Sequence, residues 1–257
     1  MNSKKYLGLT AFILIGIAGL SMWQWRTTAQ TGSKAVRLSL RTDRAEYALG
    51  EIVALNFEIS NQTDAPVELV VPDVRAGTLK VFVSSDGATF REYIGPRWGT
   101  LNVRRQMKSI ESGGHLEIRS TMLYNKTFAS DHLTEHYAEQ IRKDNLGTDF
   151  AIISPGRYWL KAAYSDGRTK LESEPVVIDV NVPSGMDALV WERIKANKAY
   201  AYFLQTGDLK FIPGSTEEQE FVASLRRLAE EFPGTKFAVK VEQGLTKRNA
   251  MLDELQR

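Results

Sequence analysis

Tyr47-Ala48-Leu49-Gly50-Glu51, then Ile52-Val53-Ala54-Leu55-Asn56-Phe57-Glu58-Ile59-Ser60, then Asn61-Gln62-Thr63-Asp64-Ala65-Pro66, then Val67-Glu68-Leu69-Val70-Val71 is the stretch whose reading decides the fold. Val53, Leu55, Phe57 and Ile59 alternate with Ala54, Asn56, Glu58 and Ser60, the period of a strand that buries one face. A slip of one residue would turn the whole apolar row to water, so the register is well specified. Gly50 stands where the turn into this strand calls for positive φ, which glycine adopts without steric penalty. The polar run 61–66 ends the strand. A second strand over 67–71 is stopped by Pro72, which cannot donate a ladder hydrogen bond.

The same period recurs on both sides. Val36, Leu38 and Leu40 alternate with Arg37, Ser39 and Arg41 upstream, and Leu79, Val81 and Val83 alternate downstream. Asp86-Gly87 is a hairpin signal before a strand over 89–94. Residues 95–110 read as irregular, with Pro96 and Gly99 flanking Trp98, and Ser112-Gly113-Gly114 turns the chain into Leu116, Ile118, Ser120 and Met122. Between 125 and 149 the rhythm changes: Leu133, Tyr137 and Ile141 lie at helical spacing. Ser130 or Asp131 is a cap and Asn145-Leu146-Gly147 a stop, which predicts a helical insert at about 130–144. Asp166-Gly167 makes a last hairpin, and Val176, Ile178, Val180 and Val182 form a closing strand. Short strands separated by turns predict a mainly β chain, an antiparallel sandwich rather than a parallel sheet.

Ser154-Pro155-Gly156-Arg157-Tyr158-Trp159-Leu160 resembles the penultimate strand of immunoglobulin-like domains, in which a small turn, a Gly and a Tyr form the tyrosine corner. Tyr158 matches the Tyr, Gly156 the Gly, and Leu160 takes the place of the Cys; Ser154 replaces the acid often found there. The pattern Tyr47-x-x-Gly50-Glu51-x-Val53-x-Leu55-x-Phe57-x-Ile59-x-Asn61 is similar to a domain of many exported bacterial proteins, and to the bacterial intracellular proteinase-inhibitor type of sandwich. The resemblance covers about 35–183 and implies an immunoglobulin-like β-sandwich over 30–183. It implies no activity, because fold and function separate on this scaffold.

Pro183-Ser184-Gly185 opens a different composition, a small α-helical C-terminal region over 184–257. Helical spacing predicts one helix over 186–205, a second after the capping box Ser215-Thr216-Glu217-Glu218, and a third from about 236 to 255. Phe221, Leu225, Leu228 and Phe232 form the stripe of the second helix. Phe237, Val241, Leu245 and Leu252 form that of the third. Glu231-Phe232-Pro233-Gly234-Thr235-Lys236-Phe237-Ala238 resembles the helix-to-helix turn of tetratricopeptide-type repeats, but one pair does not make an array.

The N-terminus bears on location. Lys4 and Lys5 precede residues 6–25, a run without charge, and Arg26-Thr27-Thr28-Ala29 follows. This pattern fits a secretory signal cleaved after Ala29. It equally fits an uncleaved anchor through residues 6–25, with Trp23 and Trp25 at the interface. Either reading delivers the body outside the cytoplasmic membrane. The full chain carries +2, and residues 1–29 hold three cations and no acid, which leaves −1 for the rest. A nearly neutral body lacks the basic stripe that nucleic-acid binding needs. The 43% apolar and 25% charged residues are the content of a globular protein rather than of a disordered chain. The chain has no Cys, which removes disulfides, thiol nucleophiles and Cys-ligated zinc together.

His132-Leu133-Thr134-Glu135-His136 carries the sharpest catalytic pattern. His-x-x-Glu-His is the inverted zinc-peptidase signature, with two His on one helical face for zinc and Glu as base. Against it, the motif sits in a short insert, and the third ligand would have to come from Glu217 or Glu218 in the tail. The duller reading is a solvated helix face, with loose metal affinity as a middle case. Trp98 among Arg97, Arg104, Arg105 and Lys108 could grip an anionic ligand, or lie under its own loop. No Gly-x-Ser-x-Gly elbow and no phosphate cradle occur. Asn61-Gln62-Thr63 and Asn125-Lys126-Thr127 fit glycosylation sequons but are set aside, because the leader looks bacterial. The expectation is a non-catalytic binding or scaffolding module of the bacterial cell envelope, without cofactor or metal, whose partner is another envelope protein or a surface ligand. Two alternatives stand beside it: a proteinase inhibitor presenting the segment 95–110, and a zinc-dependent hydrolase using His132, Glu135 and His136.

Overall fold

The alternating run forms β3 (Val53–Asn61), whose row of Val53, Leu55, Phe57 and Ile59 is at most 3% exposed while the residues between are half-buried. The computed structural model of the chain describes residues 35–74, 76–95, 106–123, 150–207, 209 and 214–255. The expected leader over 1–29 and the helical insert at 130–144, with His132, Glu135 and His136, lie outside the described residues; so do Arg97, Trp98, Gly99, Arg104 and Arg105.

β3 pairs antiparallel with β1 (Val36–Thr42) on one side and β8 (His115–Met122) on the other. A second sheet holds β2 (Glu46–Ala48), β5 (Leu79–Ser84), β6 (Arg91–Tyr93), β9 (Gly156–Ser165), β10 (Lys170–Glu172) and β11 (Val176–Asn181). Its order is β2-β11-β9-β5-β6, with β10 also on β9. The expectation of antiparallel pairing fails at one place: β2 runs parallel to β11, with Val180 opposite Tyr47. Parallel neighbours need a long crossover, and here it is the chain between residues 48 and 176. Asp86-Gly87 lies between β5 and β6 and Asp166-Gly167 between β9 and β10, at the expected hairpins. The Asp86 carboxylate accepts the Thr89 and Ala88 N–H groups and the Ser84 hydroxyl, which holds it well below the usual carboxylate range.

A third pair, β4 (Val67–Val70) with β7 (Met107–Ile110), continues the β3–β8 ladder around a corner. Residues 107–110, expected to be irregular, are therefore strand, because they carry the return of β8 alongside β4. Asn61, fully buried, plugs the corner. Its Nδ2 donates to the carbonyls of Ala65 (2.8 Å), Ile110 (2.9 Å) and Glu111 (3.2 Å), and its Oδ1 accepts from the Thr63 N–H and hydroxyl. Across the molecule the Tyr158 hydroxyl donates to the Ser154 carbonyl at 2.7 Å, pinning the entry to β9.

Among the described residues the tail holds four helices where the periodicity predicts three. The run 186–205 is broken into α1 (Gly185–Ala196) and α2 (Lys198–Thr206). Asn197 does this: its N–H closes α1 on the Arg193 and Ile194 carbonyls, while its side chain accepts the Ala199 N–H to open α2. An asparagine that offers the backbone its own hydrogen bonds favours a cap over a helix interior. α3 (Thr216–Glu231) and α4 (Lys236–Leu255) follow. Among the described residues no helix is long and apolar enough to cross a membrane. Residues 34–257 form one compact unit, and one apolar cluster runs from Leu38 and Phe57 through Leu160 and Ile178 to Trp191, Phe203, Leu225 and Val241. Trp191 of α1 lies directly over Gly50 (φ +90°) and meets Phe150 edge-on at 4.8 Å.

The start of α3 departs from the expected reciprocal cap. Ser215 Oγ accepts the Glu218 N–H at 3.2 Å, but the Glu218 carboxylate takes the Gly214 N–H (2.6 Å) rather than that of Ser215. Its other oxygen meets Arg248 of α4 at 2.5 Å, and Glu218 is 4% exposed. Burial pushes the carboxyl up, yet the Gly214 N–H and Arg248 outweigh it and hold Glu218 below its ordinary range. Replacing Arg248 with Met strands a buried carboxylate, and urea unfolding should register a loss of about 2 kcal/mol. Because the folded pKa is depressed, the stability this carboxylate contributes is complete above its unfolded value, roughly 4.3. It fades as the pH falls through the folded value. A Glu218→Gln variant should therefore lose less stability than the parent between about pH 7 and about pH 3.

Candidate functional site

The chain past β4, the end of β6, the far half of β8 and the end of α2 enclose a half-open cleft of about 510 Å³. Pro72, Asp73 and Val74 form one wall, and Ile118, Arg119, Ser120 and Thr121 the other; Tyr93, Gly95, Gln205 and Thr206 close it. The alternation of β8 sends Ile118 and Ser120 inward and leaves Arg119 exposed at the lip. Gly95 lets the backbone lie against the end of the Tyr93 ring, where a Cβ would come within 2.0 Å of the tyrosine oxygen.

The closed end is a hydrogen-bonded knot. The Tyr93 hydroxyl accepts from Gln205 Nε2 and donates to the Thr121 carbonyl at 3.4 Å. Gln205 Nε2 also donates to that carbonyl at 3.2 Å, and the Thr121 hydroxyl donates to the Gln205 carbonyl at 3.2 Å. Burial drives the Tyr93 pKa far upward, so the phenol stays neutral and remains a donor. Among the described residues the lining holds no histidine or lysine, and Asp73 is its carboxylate. Such a set can hold and orient a polar or extended ligand through hydrogen bonds.

A second cleft, about 300 Å³, lies between the β2–β3 turn and α4. Glu51 sits at its centre, paired with Arg44 (3.0 Å) and Lys236 (2.5 Å). Arg44 lies 4.4 Å over the Tyr47 ring. The Tyr47 hydroxyl donates to Asp43, and burial followed by that carboxylate pushes its pKa up to about 12. These charges neutralise one another, which makes this cleft a clasp between sheet and helix.

Of the residues singled out in the sequence, Lys108 is exposed on β7 opposite Leu69. Glu217 is in the first turn of α3, and Glu218 is committed to Gly214 and Arg248. His115 is exposed on β8. Among the described residues no group of three His, Cys, Asp or Glu is placed to hold a metal ion. The residues of the larger cleft carry no sequence signal as a set; they come from four separate stretches.

No family model matches the chain, and no curated protein does. Weak likenesses to solved structures include the sporulation control protein Spo0M of Bacillus subtilis, at 12% identity and TM-score 0.32 over 63% of this chain and 55% of that one. The alkylpurine DNA glycosylase AlkC of Pseudomonas fluorescens matches at 14% identity and TM-score 0.29, over 59% of this chain and 31% of that one. A β-glucosidase of Listeria innocua matches at 11% identity and TM-score 0.29, over 58% and 17%. The chain spans less than two thirds of each of these proteins. At this level of similarity they fix neither a family nor an activity for it.

Proposed function

We propose that the chain is a non-catalytic binding or scaffolding module of the bacterial cell envelope, built on an immunoglobulin-like sandwich and carried outside the cytoplasmic membrane by residues 1–29. The sandwich reading is supported by two sheets whose faces meet where β1 touches β9 and β10, and by the Tyr158 hydroxyl bonded to the Ser154 carbonyl, the hydrogen bond of a tyrosine corner. The location rests on the charge pattern of the leader. The observation that carries the binding reading is the 510 Å³ cleft, whose polar groups are tied to one another in a fixed frame. A concave site with a few convergent polar groups is where a ligand is held.

The test immobilises residues 30–257 and a Ser120→Trp variant, which fills the cleft, and exposes both to envelope extract. The parent is expected to retain a discrete partner that the variant loses. Identical retention by the two proteins would remove the cleft from the function.

A further inference from the structure

The same cleft has a strand edge along its lip. In an antiparallel ladder a residue sends its N–H and C=O to the same side, and successive residues alternate. The Gly114 carbonyl accepts from the Asn61 N–H, so the even-numbered residues of β8 face β3. The Thr121 carbonyl confirms the alternation, because it points the other way, to Tyr93 and Gln205. The backbone groups of Glu117 and Arg119 therefore face outward along the cleft, and among the described residues no backbone partner takes them. Thr121, the next in that series, is capped by α2, which fixes where an open ladder would stop.

Two further observations bear on what fits there. Leu116 and Ile118 face the core yet remain half-buried, so an added strand would cover apolar surface that β8 leaves open. On the outer face Glu117 lies opposite Glu58 of β3, a like-charge pair across the ladder. Glu117 reaches Arg119 only at 4.0 Å, with the two side chains 60% and 83% exposed, so that pair adds little. An incoming strand with a cation beside Glu117 and an acid beside Arg119 would relieve both. The other edge of this sheet, β1, offers no such place: Leu38 and Leu40 are already buried beneath the second sheet.

We propose that the free edge of β8 takes an extended peptide segment of a protein partner as an added antiparallel strand, apolar at alternate positions, with an acidic residue beside Arg119 and a basic residue beside Glu117. Main-chain hydrogen bonds to Glu117 and Arg119 supply the affinity and the charges select the partner. Charged side chains also keep such an edge from pairing indiscriminately. The inference rests on the binding reading of the cleft and names its ligand class.

The probe is a synthetic eight-residue peptide, Val-Asp-Val-Lys-Val-Thr-Val-Thr, which starts opposite Ser120 and so stops short of the capped Thr121, with its Lys/Asp-exchanged counterpart, titrated against residues 30–257 by calorimetry. The parent should bind the first peptide more tightly than the second, and a Glu117→Lys/Arg119→Glu variant should reverse the order. Glu117→Pro removes an outward N–H and no bond to β3. It should weaken the first peptide about tenfold or more with the thermal unfolding midpoint held. Binding that ignores both variants overturns the proposal. So does self-association in the ultracentrifuge that Glu117→Pro abolishes while no peptide binds, since a second copy would then occupy the edge. If Ser120→Trp loses its envelope partner and neither peptide binds, the strand is wrong and the cleft still serves. If Ser120→Trp loses nothing, the binding reading falls with it.

Discussion

Replacing Asn61 with Ala is expected to lower the unfolding free energy by about 3 kcal/mol, seen as a shift of the urea midpoint without change in slope. The side chain has no exposed surface and satisfies three carbonyls and two donors of Thr63 at once. The Ile110 carbonyl is buried, so it cannot exchange the lost donor for water and bears most of the cost. Asn61→Asp separates this from a packing effect. It keeps the acceptor for Thr63 but directs a carboxylate at the Ile110 and Glu111 carbonyls, and at neutral pH it should be less stable than the Ala variant. Burial beside carbonyl oxygens raises the folded pKa of such a group. The folded Asp variant then binds the extra proton, and its stability should rise as the pH falls from neutral towards the carboxylate range. An Asp variant whose stability falls over that interval would show that the corner does not depend on the Asn61 donors.

Gly50→Ala should be comparably damaging, at about 3 kcal/mol or more. Its φ of +90° is costly for any residue with a Cβ, and that Cβ would stand 2.3 Å from Trp191 Cε3. The indole cannot withdraw, because Phe150 lies edge-on to it at 4.8 Å and it is 5% exposed. A double-mutant cycle divides the two costs. In a Trp191→Ala background the steric part vanishes, and the Gly50→Ala penalty should fall to the backbone part, roughly 1–2 kcal/mol. An unchanged penalty would mean that Trp191 does not rest on the turn.

These two residues mark how far the chain can be read without coordinates. The inner row of β3 and the turns at Asp86-Gly87 and Asp166-Gly167 are local patterns, with period two and hairpin chemistry, and they are legible. The positive φ of Gly50 is legible for the same reason. The indole above it is not, since Trp191 is placed by a helix that begins far along the chain. Asn61 reads as an ordinary turn residue, and its burial follows only once the β3–β8 ladder bends into β4–β7. Asn197 reads as a tolerated polar residue in a helical run, whereas its side chain ends one helix and opens the next. The cleft is the least legible feature. Tyr93, Gln205 and Thr121 converge by tertiary folding, and none of them carries a motif. His132, Glu135 and His136, the sharpest pattern in the sequence, lie outside the described residues.

The parallel pairing of β2 with β11 sets an order of events for synthesis. A strand that leaves the ribosome among the first must wait, unpartnered, until Asn181 has been made. Contacts this distant in sequence form slowly, and an open edge held that long invites association with other nascent chains. A chaperone that keeps the segment extended until the closing strand arrives would suit the maturation of this protein.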